Sequence, residues 1–277
     1  MNGKRCLITG ASAGIGKVTA RSLAEQGAQL VMVCRDRSKG EAALGEIKTQ
    51  SGNSNIELLI ADLSSLSAIR RLADEFKAKY NRLDVLINNA GVYIPKRALT
   101  VDGYETTFAV NHLAYFLLTN LLLDVLRASA PSRIVSVASE AHKYGKVEFD
   151  NLQGEREYKG VAAYSNSKLE NILFTRELAR RIAGTGVTAN SLHPGAVATS
   201  IFRNTPKPLE WLIKLFTMSP EKGAQTSVYL ASSSEVEGVS GKYFEKKKEK
   251  YPSRAAQDDE LAKKLWEVSE RLTGLQT

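Results

Sequence analysis

Thr9-Gly10-Ala11-Ser12-Ala13-Gly14-Ile15-Gly16 decides the fold. It follows the apolar run Cys6-Leu7-Ile8 and leads directly into the helical pattern Lys17 to Gln26. Glycines here permit a tight strand-to-helix turn and close backbone approach to a pyrophosphate, while the helix N-terminus supplies N–H groups and a positive dipole end. The spacing is G-x-x-x-G-x-G rather than G-x-G-x-x-G. Between a strand and a helix, such a turn points to a dinucleotide held against Gly10, Ser12, Ala13, Gly14, Ile15 and Gly16.

Outward from this turn, short apolar runs alternate with longer amphipathic ones, the pattern of βαβ units and a parallel sheet. Strands are predicted at residues 4–9, 29–34, 56–60, 84–88, 133–138, 188–192 and 242–244. Helices are predicted at 15–26, 38–50, 65–80, 104–128, 163–183, 207–217, 220–232 and 255–272. No repeat or linker interrupts the series. The expected fold is α/β: a single doubly wound Rossmann-like domain over residues 1–277, with a mostly parallel seven-stranded sheet flanked by helices. Its cofactor-binding part is expected over about 1–140, and its catalytic and substrate part over about 141–277.

The 277 residues are 43% hydrophobic and 25% charged, an ordinary balance for a globular protein with a substantial core. The best membrane-span candidate, Leu113 to Leu126, is interrupted by Thr119, Asn120 and Asp124 and reads as a buried helix. Met1 to Arg5 lead straight into a strand without the apolar core of a signal peptide, so a cytoplasmic protein without a transmembrane anchor is expected. The net charge of +8 is dispersed, and no recognition helix or aromatic-basic patch points to nucleic acid. Its densest run, Lys246-Lys247-Lys248-Glu249-Lys250, reads as a solvated loop. Cys6 and Cys34 show no metal-ligand spacing to each other or to His112, His142 and His193; reduced core thiols and no metal are expected.

After the second strand, an acid would hydrogen-bond the ribose 2′-OH of NAD and repel a 2′-phosphate. This chain has Val33-Cys34-Arg35-Asp36-Arg37, so Arg35 stands where a guanidinium would meet the phosphate of NADP(H). After the third strand, Ala61-Asp62-Leu63 would place Asp62 and Leu63 near the adenine. Farther on, Tyr164 and Lys168 are four residues apart and share one helix face. A cation beside a phenol favours the phenolate and lowers a pKa that starts near about 10, which suits proton transfer. On its own such a pair usually means a partly buried ring beside a solvated charge.

Together these residues resemble the short-chain dehydrogenase/reductase family: Thr9 to Gly16, Asp62, Asn88-Asn89-Ala90-Gly91, Asn111, Ser139, Tyr164 with Lys168, and His193-Pro194-Gly195, in order at strand ends over essentially the whole chain. Within it the chain is most similar to the NADP-preferring retinol dehydrogenase-like branch. That likeness rests on Val33 to Asp36, Ala138 to Gly145, Asn151-Leu152-Gln153 and the 25-residue gap from Ser139 to Tyr164. The resemblance implies an oxidoreductase interconverting an alcohol and its carbonyl, with Tyr164 as proton donor or acceptor. It also implies that Lys168 lowers the pKa of Tyr164 and holds the nicotinamide ribose, that Ser139 polarises the carbonyl, and that Asn111 holds a water leading to Lys168. Asn88, Asn89, Ala90 and Gly91 are implied beside the adenosine ribose, and Pro194, Gly195, Val197 and Thr199 at the carboxamide and phosphates. His112 and His142 fit no such role and are expected to be structural. A nucleotide-binding regulator without turnover is the alternative, but binding alone has no chemical need for Asn111, Ser139, Tyr164 and Lys168 together.

Residues 203–218 are dense in large apolar groups, including Trp211, Leu212, Ile213, Leu215 and Phe216. They admit a lid over a lipophilic substrate, plain core packing, or peripheral membrane contact through Trp211 and Phe216. Helix 104–128 is apolar on more than one face, as expected of either complete burial or a subunit interface, and the resemblance implies a homo-oligomer.

Overall fold

The computed structural model describes residues 1–195 and 219–275. Its sheet runs β3-β2-β1-β4-β5-β6-β7-β8, from β1 (Arg5–Thr9), β2 (Gln29–Cys34), β3 (Ile56–Ile60), β4 (Val85–Asn88), β5 (Ser132–Val137), β6 (Val187–His193), β7 (Tyr243–Glu245) and β8 (Lys248–Lys250). All neighbours are parallel except β7 and β8. The central strands are apolar runs buried on both faces, because helices cover each side. Chain order reverses between β1 and β4, which opens a crevice at the strand C-termini.

The eighth strand corrects the expected solvated loop. Lys246 and Lys247 take positive φ values of 51° and 62° and turn the chain, so that Phe244 pairs with Glu249 and Lys248 to Lys250 close the sheet edge. Exposed lysines there are consistent with an edge that discourages pairing with another chain.

Helices α1 (Gly14–Glu25), α2 (Arg37–Ser51) and α3 (Leu66–Lys79) follow the first three strands. Asp36 caps α2 by accepting from the Lys39 N–H at 3.0 Å, and Ser65 caps α3. The expected helix 104–128 is instead segmented into α4 (Thr106–Phe108), a π-helical turn at Ala109–Leu113, α5 (Ala114–Leu121) and α6 (Leu123–Ala128). Then come α7 (Gly160–Arg181), α8 (Pro220–Ser232) and α9 (Asp259–Thr273). The expected helix at 207–217 lies outside the described residues.

The many-sided apolar character of α5 is satisfied within the chain. Helix α9 lays Trp266 against Phe116 of α5, ring centroids 4.8 Å apart, and stacks it on Phe174 of α7 at 5.9 Å. Arg181 covers the indole at 4.3 Å, and its Nε1–H donates to Glu270 at 2.6 Å. These residues therefore give the expected homo-oligomer no support. Trp266→Ala should destabilise the protein by about 3–5 kcal/mol and lower the thermal midpoint by roughly ten degrees, as measured by chemical and thermal melts.

Candidate active site

Backbone geometry at the end of β1 makes a cradle. Gly10 has a φ of +69°, and a Cβ on Gly16 would lie 2.4 Å from both the Gly10 carbonyl and Asn89 Nδ2. Asn89 in turn donates to the carbonyls of Thr9 (2.8 Å) and Gly10 (3.3 Å), while Thr9 Oγ1 accepts from the N–H groups of Asn89 and Ala90. The ends of β1 and β4 are thus laced together across the switch point. Ala13, at the N-cap of α1, offers no side-chain cap, so the first-turn N–H groups of the helix face the crevice unsatisfied by a side chain. A pyrophosphate fits that arrangement by charge and by the space that missing Cβ atoms leave.

Around the cradle, Cys34 is buried with its sulfur toward the Ser12 hydroxyl and the Ala11 backbone, and burial pushes its thiol up to about 11. Arg35 is exposed and makes no ion pair among the described residues. Asp36 is turned into the start of α2, with Lys39 Nζ at 3.5 Å. Asp62 is exposed and closes its own turn by accepting from Ser64 N–H. Leu63 and Asn88 depart from expectation: the Leu63 side chain packs into the main core, and Asn88 donates to Thr119 in the interior, so neither side chain faces the crevice.

Helix α7 brings the expected polar residues to the end of β5. Lys168 is only 2% exposed, and its Nζ donates to the Val137 carbonyl at 3.1 Å. Asn171, one turn on, donates to the same oxygen at 3.2 Å. The ammonium lies 5.5 Å from the Tyr164 ring centroid and 6.0 Å from that of Tyr115. Ser139, just past β5, accepts from Ala141 N–H at 3.2 Å, and its hydroxyl is close enough to the Tyr164 phenol to pull the phenol's pKa down. Gly145 lets this post-β5 loop seat on α7, since a Cβ there would stand 2.5 Å from the Ser165 carbonyl.

The charges behave differently from the expectation. Burial pushes the Tyr164 phenol up to about 12, against a smaller downward pull from Ser139, and burial brings Lys168 down to about 8. Desolvation dominates both shifts: Lys168 is buried, and Tyr164, though partly exposed, has its phenol packed into the site. At neutral pH the phenol keeps its proton and the amine remains mostly charged.

Asn111 is also used differently. Its side chain accepts from Val92 N–H (2.8 Å) and donates to the Val92 carbonyl (3.0 Å) and to Ser167 Oγ (2.9 Å). It therefore clamps the loop after β4 to α7, with Gly91 between it and Lys168, and its amide has no N–H left for a water. Both expected structural histidines are engaged: His112 with Ser269 at 2.7 Å, and His142 between the Ser139 carbonyl and Ser253 N–H. Because Ser253 donates to Nε2, the His142 proton sits on Nδ1 and is donated to Ser139.

Sequence reasoning missed Tyr115, Asn171 and Tyr93, and it placed Thr9 in the glycine turn without its role in lacing β1 to β4. Tyr115 is buried and donates to the Ala90 carbonyl at 2.8 Å, and Tyr93 stands edge-on to Tyr164 at 6.2 Å. Only Asn171 carried a signal, since it shares the helix face of Tyr164 and Lys168. Pro194 and Gly195 end β6 beside His193, which accepts from Glu140 N–H at 3.1 Å. Val197, Thr199 and residues 203–218 lie outside the described residues. Both cysteines are free, and no metal-binding group of three or more ligands occurs among the described residues.

Residues 4–210 match the family model described as short chain dehydrogenase. The chain belongs to the short-chain dehydrogenase family. It falls in the retinol dehydrogenase-like branch: it is 49% identical to human retinol dehydrogenase 14, over 99% of this chain and 88% of that protein. It is 48% identical to mouse retinol dehydrogenase 12, over 99% and 87%. Among solved structures, an uncharacterized protein from Mycobacterium paratuberculosis superposes with a TM-score of 0.81 at 36% identity, covering 99% of this chain and 94% of its own. The RhlG/NADP complex from Pseudomonas aeruginosa gives 0.71 at 27% identity, covering 88% and 94%. Membership carries the reaction class, a nicotinamide-dependent oxidoreductase acting on alcohol and carbonyl groups.

The cradle yields a direct test. Gly16→Ala should force the β1 turn away from Asn89, lowering stability by about 1–3 kcal/mol and weakening nicotinamide dinucleotide binding at least about tenfold in a fluorescence titration.

Proposed function

We propose that this protein is an NADP(H)-dependent oxidoreductase that interconverts a lipophilic alcohol and its aldehyde or ketone, with a retinoid-like molecule as the leading substrate class. The observation that carries the reading is the convergence of Tyr164, Ser139 and Lys168 at the end of β5, beside a glycine turn with an uncapped helix N-terminus. The names of the relatives support the retinoid class, and steroid-like or medium-chain carbonyls are the next to try.

When bound, the nicotinamide supplies or accepts the hydride. The protein's part in carbonyl reduction is proton delivery. Tyr164 keeps its proton at neutral pH, because burial holds the phenol near about 12, and it donates that proton to the carbonyl oxygen. The Ser139 hydroxyl, beside the phenol, would donate a second hydrogen bond to the same oxygen as negative charge develops. The Lys168 ammonium, held at the Val137 carbonyl, favours the phenolate left behind. Asn111 and Asn171 act as positioning residues, one fixing the loop at Val92 and the other sharing the Val137 carbonyl.

For the cofactor, NADP(H) is favoured over NAD(H) by charge. Arg35 is exposed and unpaired among the described residues at the end of β2, and the Asp36 carboxylate is occupied by its own helix. Among the described residues no acid other than Asp36 stands at that strand end to accept from a ribose 2′-hydroxyl, whereas a guanidinium suits a 2′-phosphate.

Assaying NADPH oxidation with retinal, steroid and medium-chain carbonyls tests the reading. At least one carbonyl should turn over, and Tyr164→Phe should cut kcat by about a hundredfold or more with NADPH affinity unchanged. Turnover indifferent to Tyr164→Phe overturns the mechanism, and no turnover with any carbonyl favours a nucleotide-binding regulator. Arg35→Ala should weaken NADPH about tenfold and NADH little; equal losses count against the cofactor assignment.

A further inference from the structure

The face of α7 opposite Tyr164 and Lys168 lines a second cavity, of about 260 Å³. Ala163, Asn166 and Glu170 recur at helical spacing on that face, and Glu105 at the start of α4 stands across from them. The two buried carboxyl groups differ in how they are satisfied. Glu105 accepts from the N–H groups of Thr107 and Phe108 and from the Tyr158 hydroxyl, so both of its oxygens are used. Glu170 is 1% exposed, lines the cavity, and has an Oε2 with no hydrogen-bond partner among the described residues.

A buried carboxyl without a partner is costly, by about 1–3 kcal/mol or more, and an interior position for one calls for a group that satisfies it. Burial and the neighbouring Glu105 carboxylate hold the Glu170 carboxyl well above the usual carboxylate range, so it carries a proton until a counter-charge arrives. At the rim, Lys146 and Lys159 are exposed and offset by Glu148 and Glu157, with Lys159 paired to Glu157 at 2.7 Å. The floor of the cavity is therefore its acidic part. Phe108, Leu152 and Tyr158 supply apolar wall for a short stem.

We infer that this cavity is a binding site for a small organic cation, whose ammonium or guanidinium head would sit against Glu170 and Glu105 with its alkyl stem along Phe108 and Tyr158. The cavity is large enough for a free molecule of roughly ten heavy atoms and small for a protein segment, which favours a free ligand over the lysine or arginine side chain of another protein. It is separate from the crevice that takes the dinucleotide, since the two lie on opposite faces of α7.

Isothermal titration of the full chain tests this with n-butylguanidinium and n-butylammonium, with neutral n-butylurea as the isosteric control. Saturable one-to-one binding of the cations is expected, with n-butylurea at least about tenfold weaker. Glu170→Gln should lose cation affinity about tenfold or more, and Ala162→Phe, on the exposed rim, should block entry without touching the buried carboxyls. Tyr164→Phe should bind the cations as the wild type does, which separates this site from the proposed chemistry. Absence of saturable binding, equal binding of n-butylurea, or undiminished binding to both Glu170→Gln and Ala162→Phe overturns the proposal. Tighter binding of a capped arginine tripeptide than of n-butylguanidinium overturns the assignment to a free ligand.

Discussion

A lysine ammonium held out of water governs this molecule. An ion removed from water costs several kcal/mol unless partners replace the solvent, and Lys168 has one full partner, the Val137 carbonyl at 3.1 Å, with two aromatic rings nearby. Burial therefore lowers its pKa to about 8 while leaving it mostly protonated at neutral pH. The carbonyl that receives it belongs to Val137, the last residue of β5, which pairs with Leu192 of β6 one residue past the end of the β4 pairing, so the charge is fixed to the central sheet. Tyr164 is carried on the same helix one turn earlier, and Ser139 follows Val137 by two residues. The geometry of proton transfer thus inherits its precision from strand pairing.

The dinucleotide cradle depends on the same sheet. Because chain order reverses between β1 and β4, no connection fills the space above their ends. Thr9 and Asn89 lace those ends together, and the glycines let the backbone come within distances that a side chain would forbid. Asn111 extends the framework to α7 by clamping Val92 and Ser167 from a π-helical turn. Cofactor crevice and proton-transfer residues are two products of one set of strand ends.

Much of this was legible in the chain because its signals are local. The alternation of apolar and amphipathic runs, the glycine turn and the polar residues at strand ends each report on a few neighbouring residues, and the β1 to β7 strands and the convergence of Tyr164, Ser139 and Lys168 follow from them. What escaped depends on distant contacts. Helix 104–128 breaks into segments, with a π-helical turn where Asn111 reaches Val92, and nothing in its sequence period foretells that. The apolar faces of α5 suit burial and a subunit interface alike, and only the fold brings Trp266 of α9 against Phe116. Lys246 and Lys247 make a hairpin turn with residues that seldom take positive φ, and charge alone suggested a loop. The upward shift of Tyr164 reflects desolvation of the phenol within the site, which a spacing of four residues does not encode.

The pH dependence of carbonyl reduction tests the central role of Lys168 most directly. If the buried ammonium is required, kcat/KM with saturating NADPH should be level from about pH 6 to about pH 7 and fall above about pH 8 as Lys168 loses its proton. Lys168→Arg, whose charge persists, should move that falling limb up by about two pH units or more. A profile that stays level to about pH 9.5, or a limb unmoved by Lys168→Arg, would contradict the account.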